Sequence, residues 1–260
     1  MSEKQVFEVL NELSEKNDEH VEEFSDKLKQ HLDGQDPEVT TILCSDSRVI
    51  QGKICGNEVL GREFSHERIG NRTNSLTLEG EAVPSGSIDY IPEHSDTPTG
   101  VLVIGHTGCG AVTATYNTIQ SALKSEKVEE PEEIIELYEK GEIDLEDYTG
   151  ETKGITTDIY LLMKAGLDSS YKELMDEDLE DKEMINRLVE YNVDNQVEFL
   201  KEHTDYEDTE ILGAVYDMEG VYGENGGLYL VNYDGRSEID ELKQLFSDYS
   251  FVDVDRQDSA

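Results

Sequence analysis

Apolar residues recur along this chain with two periods, and the places where the period changes outline its elements. Over residues 2–32, Val6, Leu10, Leu13, Val21, Phe24, Leu28 and Leu32 fall at three- and four-residue steps with charges between them. That spacing predicts amphipathic helix. It is either a helix pair packed on its own domain or an arm laid on a partner subunit. Asp33-Gly34 ends it, glycine being free to take the left-handed conformation of a helix end. After Gln35-Asp36-Pro37 the pattern becomes a β-branched run, Val39-Thr40-Thr41-Ile42-Leu43, which predicts a buried strand over 39–44. Residues 45–61 are a glycine-punctuated connection carrying Ile50, Ile54, Val59 and Leu60, and an unusually polar second strand is expected around 63–69. Residues 71–74 read as loop and 87–93 as a short helix.

Val101-Leu102-Val103-Ile104 is a second apolar run and predicts a strand over 101–106. Gly108-Cys109-Gly110 then turns sharply into a helix, 111–123, with Val112, Tyr116, Ile119 and Leu123 on one face. Helical spacing returns over 155–165 and 181–202, and strands are expected over 211–217 and 227–232, with a last helix over 238–246. Strands alternating with helices predict an α/β fold: a mostly parallel open sheet of about four to five strands with flanking helices and an N-terminal helical arm. Residues 1–260 read as a single domain, with 1–33 the arm and 124–153 an acidic surface insertion.

Charge alters this picture. Against 21 Lys plus Arg stand 61 Asp plus Glu, a formal charge of −40, and the acids are spread along the chain. Such a surface repels nucleic acid and anionic membranes, which excludes both as partners. It also repels itself, so folding is expected to need high ionic strength, as in a halophile. The three cysteines are too few for a disulfide framework. No apolar run approaches the ~20 residues of a membrane span, and the first residues lack the basic flank and apolar core of a secretory leader. A cytoplasmic protein is expected.

The candidate chemistry sits where the two apolar strands end. Cys44-Ser45-Asp46-Ser47-Arg48 follows the first and His106-Thr107-Gly108-Cys109 the second. The carboxyl ends of parallel strands are where open α/β sheets keep their sites. Cys44, His106 and Cys109 suit Zn2+, which thiolates and imidazole hold in a tetrahedron, and three protein ligands leave a fourth position open. Cys109 opens a helix, where amide dipoles favour thiolate. Asp46 has two possible uses: to take the fourth position itself, or to pair with Arg48 and orient an attacking hydroxide. The planar fork of Arg48 can grip a carboxylate with two bonds. Cys55 reads as a small buried hydrophobe, and His66 and His94 either as proton shuttles or as surface or core residues.

These motifs resemble the β-class carbonic anhydrases, whose CxDSR and HxxC segments match Cys44–Arg48 and His106–Cys109. Gln35, nine residues before Cys44, resembles the substrate-binding glutamine of the plant-type subgroup. Gly61–Phe64 and Ser87–Tyr90 are similar to the segments whose Phe and Tyr line the family's substrate pocket. Tyr191–Val197 and Gly213–Asp217 resemble its late helix and fourth strand. One segment departs: Glu67-Arg68-Ile69-Gly70-Asn71 either puts Glu where the family usually has the Arg of an Arg-Asn pair or shifts that Arg by one. The resemblance implies reversible hydration of carbon dioxide to bicarbonate on one Zn2+ held by Cys44, His106 and Cys109. It assigns catalytic roles to Asp46, Arg48 and Gln35 and substrate contacts to Gln35, Phe64 and Tyr90. It also implies a homodimer or dimer of dimers with the site at the subunit interface, which favours the arm reading of 1–33. A hydrolase of carbonyl sulfide or carbon disulfide on the same fold, and a non-catalytic zinc or bicarbonate-binding protein, are the alternatives.

Overall fold

The computed structural model describes residues 3–29, 37–54, 61, 63–88, 90, 100–204 and 209–246; Gln35, Cys55 and His94, with most of the expected 87–93 helix, lie outside them. Its centre is a five-stranded sheet in the order β2-β1-β5-β6-β7, formed by Val39–Cys44 (β1), Glu63–Arg68 (β2), Gly100–His106 (β5), Glu210–Asp217 (β6) and Gly227–Tyr233 (β7). The pairs β1–β2, β1–β5 and β5–β6 are parallel, and only β7 runs antiparallel, to β6. A separate two-stranded hairpin, Asn74–Leu76 (β3) with Ala82–Pro84 (β4), begins at the last residue of the expected 71–74 loop and occupies a stretch to which the pattern assigned no element.

The sheet is asymmetric in its cover. On one face Ile42, Cys44, Val101, Val103, Ile211 and Val215 pack under the helices Gly110–Leu123, Thr156–Lys164 and Asp181–His203 through Val112, Ile119, Leu162, Val189 and Val193. The other face carries a smaller cluster of Leu43, Val49 and Ile104. Two glycines let the Asp181–His203 helix lie directly on the strands. A Cβ at Gly105 would come 2.7 Å from Val193 Cγ2, and one at Gly213 would come 2.5 Å from Val193 Cγ1. The stretch 124–153 is acidic outside but not merely superficial, since Ile134 and Leu145 are fully buried in the main core.

The N-terminal apolar periodicity resolves into one 27-residue helix, Glu3–Lys29, instead of a pair. Among the described residues of its stripe, Leu10, Leu13, Val21 and Leu28 are about half exposed, uncovered by the rest of the described chain. The departure at Glu67 leaves the register intact. β1 and β2 pair residue for residue from Val39↔Glu63 to Cys44↔Arg68, with Glu67 exposed. Arg68 donates to Ser75 Oγ at 3.0 Å, and the buried Arg72 pairs with Asp158.

Candidate metal centre

The parallel register delivers the site. β1 and β5 are neighbours and both end at the same edge of the sheet, so Cys44 and His106 arrive side by side. Gly108, at φ 64°, makes the turn that returns Cys109 toward them as the N-cap of the Gly110–Leu123 helix. One donor atom from each of Cys44, His106 and Cys109 lies within 4.8 Å of the others, and the two sulfurs are 3.9 Å apart. All three side chains are buried, His106 completely.

The donor set fits a soft dication. His106 Nδ1 donates to the Thr107 carbonyl at 3.1 Å, which leaves Nε2 as the lone-pair nitrogen. That Nε2 is buried without a hydrogen-bond partner. A buried, unpaired acceptor costs about 1–3 kcal/mol unless something binds it. The sulfurs carry the same message. Cys44 falls to about 4, first because the Cys109 thiol donates to it, then with help from the Gly70 amide, both against burial. Cys109 is pushed well above the usual range by facing Cys44 and by burial, against the pull of the Ala111 and Val112 amides. The two shifts in opposite directions place the shared proton on Cys109, and a cation held between the sulfurs would displace it.

Asp46 stands at the rim. Arg48 Nε donates to its Oδ1 at 2.9 Å and Nη2 to its Oδ2 at 2.7 Å, with the Arg48 amide on Oδ1 at 3.0 Å. This grip holds the Asp46 carboxyl well below the usual carboxylate range. Its Oδ2 is 4.0 Å from His106 Nε2, so the carboxylate adjoins the donor cluster with both oxygens committed to Arg48.

Phe64 and Tyr90 come together, ring centroids 5.9 Å apart, with His66 against Phe64 at 5.1 Å. They are not at this chain's own donors. Phe64 pairs with Thr40, four residues before Cys44, which is roughly 13 Å back along the strand. The His66 imidazole is pushed down by burial and by Arg68, and so stays neutral.

Several residues that shape the site lay in segments compared with the family but were given no role by the sequence. Gly70 and Asn71 both adopt positive φ, 68° and 45°, and turn the end of β2 back so that the Gly70 amide reaches Cys44. Asn192 Nδ2 fixes that turn by donating to Gly70 O and Asn71 Oδ1, each at 3.1 Å. Asp217 closes β6. Burial opposes its ionisation, but amides of Tyr222, Val221, Glu219 and Gly220 prevail and hold its carboxyl below the usual range.

Comparison with known proteins agrees with this geometry. The sequence model of the carbonic anhydrase family matches residues 39–222. A carbonic anhydrase of Emericella nidulans is 32% identical over 129 residues, 50% of this chain and 52% of that protein, so the match spans about half of that relative's length. Among solved structures, the β-carbonic anhydrase CcaA superposes with a TM-score of 0.61 at 18% identity, over 88% of each chain. A tetrameric β-carbonic anhydrase from Sordaria macrospora gives 0.61 at 19% identity, over 88% of this chain and 98% of that one. The fold is thus that of the β-carbonic anhydrases, and with well over half of its length matched by the family model, this chain belongs to the carbonic anhydrase family.

Proposed function

We propose that this protein catalyses the reversible hydration of carbon dioxide to bicarbonate and a proton, with one Zn2+ held by Cys44, His106 and Cys109. The observation that carries the reading is the buried Cys-His-Cys triad with its unpartnered His106 Nε2, beside a carboxylate that Arg48 grips with two bonds. When bound, zinc acts as a Lewis acid that makes hydroxide available near neutral pH, lowering a water pKa from ~15.7 toward ~7. Asp46 accepts a hydrogen bond from the attacking group and so orients it, while Arg48 keeps Asp46 ionised and off the ligand cluster. The Gln35 amide donates to the substrate oxygen that gains negative charge. Phe64 and Tyr90 form the apolar wall against which carbon dioxide lies.

The distance of Phe64 from its own chain's donors supports a shared site, in which Gln35, Phe64 and Tyr90 serve the partner's metal. The exposed stripe Leu10, Leu13, Val21 and Leu28 supports a 1–33 arm laid on that partner, in a homodimer or dimer of dimers. We place the protein in the cytoplasm, where two thiol ligands stay reduced; no described helix is long and apolar enough to cross a membrane. Its acidic surface fits a high-salt interior. Stopped-flow hydration in high salt, with zinc analysis of the same sample, tests the reading. Stoichiometric zinc and hydration lost on chelation are expected. Zinc without hydration would leave a non-catalytic metal protein, and faster turnover of carbonyl sulfide in a parallel run would reassign the substrate.

A further inference from the structure

Two of the three metal donors sit on one short turn, and the residues between them are held by side chains that the proposed reaction does not use. Thr107 is completely buried. Its hydroxyl accepts from the Met218 amide at 2.8 Å and the Glu219 amide at 3.2 Å, and donates to Asp217 Oδ1 at 3.3 Å. That uses its one donor and both acceptor positions. Its backbone is fixed as well: the Thr107 amide donates to Tyr216 O at 3.1 Å, and its carbonyl receives His106 Nδ1. Asp217, also fully buried, is tied by the Glu219 amide at 3.0 Å and the Tyr222 amide at 2.8 Å. On the other side of the turn, the Gly108 amide donates to Asn186 Oδ1 at 3.2 Å, and Asn186 Nδ2 donates to Glu219 Oε2 at 3.3 Å.

A closed ring of hydrogen bonds thus runs from the end of β6 through Thr107, and from the Asp181–His203 helix through Gly108. His106 and Cys109 lie on either side of these two residues. A shift of the turn by a few tenths of an ångström changes the gap between imidazole and thiolate, and zinc tolerates little such change at Zn–N ≈ 2.0–2.1 Å and Zn–S ≈ 2.3 Å.

We propose that Thr107, Asp217 and Asn186 are positioning residues for the metal, the Thr107 hydroxyl setting both the His106 ring orientation and the spacing of His106 from Cys109. This rests on the reading that the triad binds zinc. The hydroxyl, not the bulk of the side chain, is the acting group, so serine serves where valine does not.

The test measures zinc affinity by chelator competition and the visible spectrum of the cobalt-substituted protein in the parent, Thr107→Val, Thr107→Ser and Asn186→Ala, with urea unfolding of each metal-free form. Thr107→Val is expected to weaken zinc binding about 10- to 100-fold and to shift the cobalt bands. Asn186→Ala should move both in the same direction, and Thr107→Ser should keep the parent's values. A Thr107→Val protein with parental affinity and spectrum overturns the proposal, even if its metal-free form is less stable, because the ring is then only structural. Equal losses in Thr107→Ser and Thr107→Val overturn it too. A parent that binds no zinc removes the metal reading itself, an outcome separate from both.

Discussion

At the scale of single residues, the site divides into groups whose type announces them and groups whose place does. The meeting of Cys44, His106 and Cys109 was legible because few residue types suit a soft metal ion and the spacing set them at strand ends. Thr107, Asn186, Asp217 and Gly70 were not, being common polar or small residues until the fold closes around them. Cys44→Ser is expected to leave the protein without stoichiometric zinc by elemental analysis. Asp46→Asn should retain zinc while carbon dioxide hydration falls about 100-fold, since the amide cannot hold the same bidentate pair with Arg48. A second carboxylate has a different consequence. Burial raises Asp168 to about 6, against the favourable amide of Ser169 and its own. The folded state therefore keeps a proton that the unfolded chain has released between about pH 4 and 6. Stability from this group is lost as pH rises through that window. Asp168→Asn should remove the loss, so that urea unfolding finds its advantage over the parent larger at pH 7.5 than at pH 4.5, by on the order of 2 kcal/mol at most.

At the scale of elements, the β-branched runs before Cys44 and before His106 announced their strands, and the observed bounds differ by a residue at most. The β3–β4 hairpin was hidden because each strand has three residues, too few for a period of two to register. The Leu167–Leu174 helix escaped for a similar reason: it is eight residues long and follows a left-handed Gly166 directly after another helix. The N-terminal break between Leu13 and Val21 suggested two helices, yet good helix formers and polar residues carry a single helix across the gap. Tight helix-on-sheet packing gives the element-scale prediction. Gly213→Ala puts a methyl against Val193 and Asn232 Cβ, 2.9 Å away, and should cost about 1–3 kcal/mol in urea unfolding. Val193→Ala in the same chain should recover part of it, so the double variant is less destabilised than the sum of the singles.

At the scale of the whole molecule, charge and assembly dominate. With a formal charge of −40, the native surface repels itself over a Debye length of about 8 Å at physiological salt but only about 3 Å at 1 M. The thermal midpoint should therefore rise steadily between dilute buffer and molar sodium chloride. A flat or falling profile would discard the salt-dependent reading. Removing residues 1–33 should lower the mass seen by light scattering, because it strips an apolar stripe that finds no cover on its own domain among the described residues. The salt response was inferable from composition, and the arm and a site shared between subunits only from the family resemblance; the β1–β2 register adds that Phe64 lies far along the strand from its own Cys44.

The separation of Cys44 from Cys109 has one more effect. These donors are 65 positions apart in the chain, so an ion held between them is also a covalent-like cross-link joining β1 to the start of the Gly110–Leu123 helix. By the chain-entropy argument that applies to disulfides, closing a loop of that length withdraws about 4 kcal/mol of freedom from the unfolded ensemble. On the proposed zinc reading, loading the ion and holding the strand order would be linked, and the metal-free chain would open more readily to proteolysis than the loaded one.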